Sequence, residues 1–290
     1  MKPPVQRFAR VVAVFRAAPG VVAVRDVNNG KTERPYYYIL PGKWYTGSFP
    51  QVYDCVQVPA AKILKENYAV IRREVLDYFQ AQGEEIEPTF TPYANLKEAG
   101  WRTLNLYAMF MRYNENCAKM PETTKIVESI PGMCSAQIAV LHPTTRVRPH
   151  FADTSVLMRT HLGLQIPGTL PDIGMRVKKN EICWKDGETF SFCPAHRHYT
   201  WNRTNGVRIM LQVDTYRPEF HRFRHLIGGH IMAAMATKYF TSQYPILRKV
   251  PRVGVLAAHR SIGIPMGIFL WLQHRTGFDT AGLLAKLKRK

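Results

Sequence analysis

The chain has 290 residues, 46% of them hydrophobic, which is enough for one catalytic domain with extensions around a sizeable core. No internal repeat or low-complexity tract is present, and the five cysteines lack C-x-x-C spacing, which excludes a zinc ribbon or a disulfide scaffold and fits a reducing compartment. A formal net charge of +19 points to anionic partners rather than basic ones.

In chain order, Val5–Arg16 carries Phe8, Val11, Val12 and Phe15 at helical spacing among arginines. The first 25 residues hold Lys2, Arg7, Arg10, Arg16 and Arg25 and no acid. Arg10 and Arg16 interrupt the apolar stretch, so a cleaved leader is not expected. A helical stretch follows at Pro59–Gln82, with Ala60, Leu64, Tyr68, Ile71 and Val75 along one face.

Short aliphatic runs broken by Pro and Gly then read as strands: Gln137–Pro143, Val147–His150, Val156–Ile166 and Gly174–Lys178. Trp184–Phe192 reads as a hairpin turning at Asp186-Gly187, since Gly tolerates positive φ. In a last strand, Val207–Asp214, alternation places Arg208, Met210 and Gln212 on one face and Val207, Ile209, Leu211 and Val213 on the other. An arginine turned into a barrel requires an anion there, because a buried unpaired guanidinium is very costly.

His150 and His198 stand 48 residues apart on this run of strands, a spacing that can bring them together across a small barrel. Ferrous iron accepts imidazole and is usually held by two His and one carboxylate with positions left open. The place two residues after His150 is Ala152, and Asp153 lies one further on, where a strand's alternation turns it to the other face. On pattern alone two readings stand, a shared metal site or two ordinary histidines among ten.

From Trp101 to Pro218 the chain resembles the aspartyl/asparaginyl β-hydroxylases, Fe(II)- and 2-oxoglutarate-dependent oxygenases that include bacterial lipid hydroxylases. The motifs that carry the resemblance are Gly100-Trp101, Arg112–Cys117, Pro121–Thr124, Val127–Pro131, His142-Pro143, Pro149-His150, Arg159–Pro167, Trp184–Gly187, His198–Trp201 and Arg208–Asp214. The resemblance implies a double-stranded β-helix (jelly roll, cupin-like), mainly β with flanking helices, over about 130–216. It implies His150 and His198 as iron ligands and Arg208 as the partner of the distal carboxylate of 2-oxoglutarate, which a planar guanidinium grips through two parallel hydrogen bonds. Arg159 and His161 fall at positions facing co-substrate and substrate. Some members bind iron through two His alone, with a small residue where Ala152 stands. Ala139 replaces a Ser that often helps to hold 2-oxoglutarate. The implied reaction consumes O2 and 2-oxoglutarate and hydroxylates an unactivated C–H bond. Chlorination beside a two-His iron is an alternative, as are peptide Asp/Asn hydroxylation and a binding protein that has lost catalysis.

The expected division is a helical or mixed extension at 1–95, the oxygenase domain at 96–218 and a basic, mostly helical region at 219–290. From Arg217 to the end there are 13 Lys and Arg against two acids. His225–Phe240 and Ala281–Lys290 read as basic amphipathic helices suited to an anionic membrane. Ile262–Leu272 is interrupted by Pro265 and is too short to span a bilayer. The basic residues lie within apolar helices, without an aromatic platform, so specific nucleic-acid binding is not expected. The expectation is a cytoplasmic enzyme, peripheral at the inner face of the membrane, acting on a lipid or another acidic small molecule.

Overall fold

The computed structural model describes residues 50–82, 100–150, 152 and 154–276. A short strand β1 (Val52–Tyr53) leads into helices α1 (Pro59–Glu66) and α2 (Tyr68–Gln82). The helical stretch read from sequence is thus two helices. Asn67 ends the first with φ −103° and ψ 14°, and both its backbone N–H and its side-chain amide donate to the Ile63 carbonyl. Pro59 opens α1, where its missing N–H costs nothing.

Strands β2 (Trp101–Ala108) and β3 (Met111–Arg112) and helices α3 (Asn114–Lys119) and α4 (Pro121–Glu128) precede the barrel. The barrel strands are β4 (Met133–Leu141), β5 (Thr145–His150), β6 (Leu157–Gln165), β7 (Ile173–Val177), β8 (Asn180–Ile182), β9 (Thr189–Phe192), β10 (His198–Asn202) and β11 (Arg208–Tyr216). They form two antiparallel sheets, in the orders β1-β9-β6-β11-β4-β2-β3 and β5-β10-β7-β8. The chain passes repeatedly from one sheet to the other, which makes the fold a double-stranded β-helix with flanking helices.

The alternation expected for β11 holds. Ile209, Leu211 and Val213 face outward, where they join Ile138 and Val140 of β4, Leu162 and Leu164 of β6, and Ala60, Leu64, Ile71, Val75 and Val127 of the helices in one core. Arg208, Met210 and Gln212 face inward. Burial of a side chain such as Leu211, fully covered here, contributes roughly 1.5–3 kcal/mol. This layer of helices fixes the large sheet and with it the position of every inward-facing group.

The Trp184–Phe192 hairpin is corrected. Gly187 does take a positive φ of 76°, but β8 and β9 belong to different sheets, and the segment between them crosses the barrel. Asp186 accepts the Ile166 backbone N–H at 2.9 Å and so stops β6, while the Gly163 position lies so near the Lys185 carbonyl that an added Cβ would stand 2.3 Å from it. The tight turn lies instead between β7 and β8, where Lys178 adopts φ 52° and its N–H donates to Arg197 at 2.9 Å. Its two central residues, Lys178 and Lys179, are neither Gly nor Asn, the usual sequence marks of such a turn.

After β11 the chain leaves the barrel through a 3-10 turn, Pro218–Phe223, and forms a pair of packed helices, α5 (Arg224–Gln243) and α6 (Arg252–Thr276). Ile262–Leu272 is the centre of α6, and Pro265 is accommodated inside it. The pair docks through Ile227 and Ile231 onto Val156, Leu157 and Tyr216. The helices expected at Val5–Arg16 and Ala281–Lys290 lie outside the described residues.

Candidate active site

The small sheet aligns the two histidines directly: His198 of β10 is the register partner of His150, the last residue of β5. Their ring centroids are 4.2 Å apart and the rings are tilted by 54°. Rings bound side by side to one ion through bonds of about 2.1 Å have centroids roughly 4.5–5 Å apart, so the pair stands a few tenths of an ångström closer than a shared metal would hold it.

Backbone carbonyls set the tautomers. His150 Nδ1 lies 2.8 Å from the Arg148 carbonyl, and His198 Nδ1 lies 2.8 Å from the His196 carbonyl. A carbonyl oxygen only accepts, so each Nδ1 carries the proton and each ring keeps its lone pair on Nε2. This is the arrangement by which proteins orient metal-ligating imidazoles. Burial lowers the pKa of His150, with Arg159 adding to the effect. It lowers that of His198 much further, with the charges of His150 and Arg159 adding to it, so both rings are held neutral and ligand-ready.

Among the described residues no third His, Cys, Asp or Glu joins them. Ala152 donates its N–H to the Pro194 carbonyl at 2.8 Å and offers no ligand atom. Asp153 lies outside the described residues.

Arg208, at the start of β11, is fully buried. Its Nη1 donates to Thr200 Oγ1 at 3.0 Å, and its guanidinium carbon lies 4.4 Å from the centre of the Trp184 ring. Among the described residues, Nε and Nη2 have no hydrogen-bond partner. Burial with no carboxylate beside it pulls the Arg208 pKa down to about 9, and a guanidinium so placed remains charged near neutral pH. Two unsatisfied donors of one fork call for an anion with two oxygens, which is a carboxylate's geometry. The chemistry of the donors therefore fits both groups: neutral imidazole Nε2 atoms for iron, and a forked cation for a diacid.

Arg159, on the neighbouring strand β6, is already paired. Its Nε and Nη2 donate to the two oxygens of Asp214, both at 2.7 Å. Burial opposes its charge, but the Asp214 carboxylate more than offsets this, and the pKa stands above the usual value. His161 accepts the Trp184 indole N–H on Nδ1 at 3.2 Å, so its proton resides on a buried Nε2 that finds no partner of good geometry among the described residues. Burial, then Arg159 and Arg208, hold its pKa well below the ordinary range.

All five residues singled out from the sequence line one cavity of about 390 Å³, its open mouth included, together with Trp101, Trp184, Tyr199, Thr200 and Gln212. His150 is partly exposed and His198 buried, so the histidine pair sits at the mouth and the guanidinium deeper. Ala139 is buried among Trp184, Phe192 and Met210 on the inner wall. Trp201 donates its indole N–H to the Pro171 carbonyl and packs against Gly174, whereas Tyr199 borders the cavity.

Thr200, Trp184, Gln212 and Asp214 were missed as members of the site. Thr200 was legible, because it stands two residues after His198 and so shares its face. The roles of Trp184 and Asp214 depend on which strands become neighbours.

The chain is 29% identical over 175 residues to an ornithine lipid ester-linked acyl 2-hydroxylase of Rhizobium tropici, covering 58% of this chain and 61% of that protein. It is 30% identical over 165 residues to human aspartyl/asparaginyl β-hydroxylase, covering 54% and 21%. It thus spans about three fifths of the first relative's length and about a fifth of the second's. Among solved structures, a Trichoplax adhaerens prolyl hydroxylase in complex with a hypoxia inducible factor peptide overlaps with a TM-score of 0.38 at 7% identity, over 55% of this chain and 81% of that one. The sequence profile described as aspartyl/asparaginyl beta-hydroxylase matches residues 65–218, more than half of the chain, and the chain belongs to that family.

Proposed function

We propose that this chain is an Fe(II)- and 2-oxoglutarate-dependent hydroxylase acting on an unactivated C–H bond, with a membrane lipid acyl chain, or another small molecule bearing an acidic group, as substrate. The observation that carries the reading is Arg208: a fully buried guanidinium with two unsatisfied donors, in the cavity that also holds the paired imidazoles. Leaving such a group unpaired costs several kcal/mol, so the site is built for an anion it binds in use.

Iron bound by His150 and His198 would supply oxygen activation, with 2-oxoglutarate oxidised to succinate and CO2 as the substrate C–H becomes C–OH. The remaining tasks belong to the chain. Arg208 binds the distal carboxylate, with Thr200 and the Trp184 ring holding the guanidinium in place. The Arg148 and His196 carbonyls keep the proton off each Nε2. His161 offers its Nε2–H to an oxygen in the cavity. Arg159, anchored by Asp214 through Nε and Nη2, faces the same space with Nη1 outside that pair. The apolar wall of Val147, Met175, Phe192 and Met210 excludes water from the reacting carbon. The lipid substrate is supported by the Rhizobium relative's named activity and by the acid-poor, basic carboxy-terminal region.

The test is anaerobic titration of the protein with Fe(II) and 2-oxoglutarate, followed through the weak visible charge-transfer band, then succinate release with a panel of lipids, peptides and free amino acids. A band that His150→Ala and His198→Ala each abolish, with substrate-stimulated succinate from the lipids, is the expected result. A wild-type protein that takes up iron with no band on adding 2-oxoglutarate overturns the co-substrate assignment. Stimulation by peptides alone overturns the substrate.

A further inference from the structure

The α5–α6 pair is built inside out. Its helices meet along Gly228 and Gly229 of α5 and Gly263 and Gly267 of α6, so closely that a Cβ on Gly229 would stand 2.3 Å from the Gly263 carbonyl oxygen and from the Gly267 nitrogen. Small residues four apart that let two backbones touch are a device of helices packing in lipid, where apolar side chains gain nothing by turning inward. Three polar side chains of this pair, His230, His259 and Gln273, are buried.

The exposed side is apolar. Ile264, Ile268, Trp271 and Leu272 of α6 recur at i, i+4, i+7 and i+8, a single stripe, with Trp271 42% exposed. At the tip of the pair Ile246 is 66% exposed and Val253 79%, with Tyr244 and Val250 beside them. An ordinary soluble helix shows the reverse order, and contiguous exposed apolar surface of this kind marks a binding face.

The charge pattern identifies the occupant. From Phe220 to Thr276 the sequence contains no Asp or Glu, but eight Lys and Arg, among them exposed Lys249 at the tip and exposed Arg260 and Arg275 along α6. Arg275 lies 5.0 Å over the Trp271 ring. A second copy of so cationic a surface would be repelled, whereas anionic lipid headgroups attract it at about 1 kcal/mol per basic residue. Aromatic rings beside basic groups are what a headgroup layer accommodates. No helix among the described residues is long and apolar enough to cross a membrane.

We propose that the outer face of the α5–α6 pair is a membrane-docking surface that inserts its tip and the Ile264–Leu272 stripe into one leaflet of an anionic bilayer. The inner side of the pair packs next to the connection that follows His150, through Ile227 and Ile231 on Val156 and Leu157. Arg217, seven residues before α5, ties the connection that follows His150, its N–H donating to the Val156 carbonyl at 2.9 Å and its Nη1 to the Ser155 carbonyl at 3.2 Å.

The experiment is flotation of the full chain with vesicles of phosphatidylcholine alone and of phosphatidylcholine mixed with phosphatidylglycerol, without iron or 2-oxoglutarate. The expected result is binding at least about tenfold stronger to the anionic vesicles, reduced at least about tenfold in the double variant Ile264→Glu, Trp271→Glu with its melting temperature retained. Should that variant fail to fold, fluorescence quenching by acyl-brominated lipids replaces it: quenching in the wild type that Trp271→Phe removes supports insertion. Wild-type protein that never floats, that forms a discrete dimer indifferent to vesicles, or whose fluorescence brominated lipids leave unchanged overturns the proposal. None of these readouts needs turnover, so failure here is separable from failure of the hydroxylase reading.

Discussion

The barrel and the carboxy-terminal helix pair both bury polar side chains, but they resolve the apolar surface left over in opposite ways. The barrel turns its aliphatic residues outward and then covers them with α1, α2 and α4, so that its polar groups surround a cavity and its apolar groups form a core. The helix pair turns its aliphatic residues outward and, among the described residues, leaves a row of them exposed. Polar residues inside therefore mean different things in the two regions: in the barrel they wait for ligands, while in the pair they fill space between helices whose outer surface has another environment to meet.

The largest effects should come from the cavity. His198→Ala removes a proposed iron ligand, and because loss of a supporting partner alone costs about 10–100-fold in metal affinity, Fe(II) binding should fall by more than about 100-fold, as read by the charge-transfer band. Asp214→Ala leaves the part-buried Arg159 guanidinium without its carboxylate. It should lower stability by roughly 3–5 kcal/mol in denaturant unfolding, and unchanged stability would refute the bidentate pair as the anchor of β6 to β11.

Arg208→Met sharpens the contrast between the two arginines. Among the described residues, Arg159 has its carboxylate partner and Arg208 has none. The Met variant should keep or gain ligand-free stability, by about 0–4 kcal/mol, and lose the rise in melting temperature that 2-oxoglutarate gives the wild type. A marked loss of ligand-free stability would mean that the guanidinium is structural.

Smaller effects belong to the helix pair. Gly229→Ala pushes a methyl group against backbone and should destabilise by about 1–3 kcal/mol, seen as earlier hydrogen exchange in α5 and α6 than in the barrel. Ile264→Gln, by contrast, removes no internal contact of note and should change stability in solution by no more than about 0.5 kcal/mol. A large loss there would show that the stripe is packed within the protein, and the contrast with the barrel's outer face would disappear.

Alternation on β11, read from eight residues, was enough to separate an aliphatic face from one bearing Arg208, because period-two geometry is local. The motif order around His150 and His198 likewise pointed to the barrel and to both rings. The crossing at Trp184–Phe192 was not legible, since a Gly that takes positive φ serves a hairpin and a sheet-to-sheet connection equally well. Pairing of Arg159 with Asp214, stacking of Trp184 on Arg208 and the inside-out face of α6 depend on which distant strands and helices become neighbours. Short-range pattern determined which way each side chain points, because that follows from backbone repeat alone. Only the tertiary structure decided what each one meets, because charge pairing and burial are properties of surroundings assembled from far along the chain.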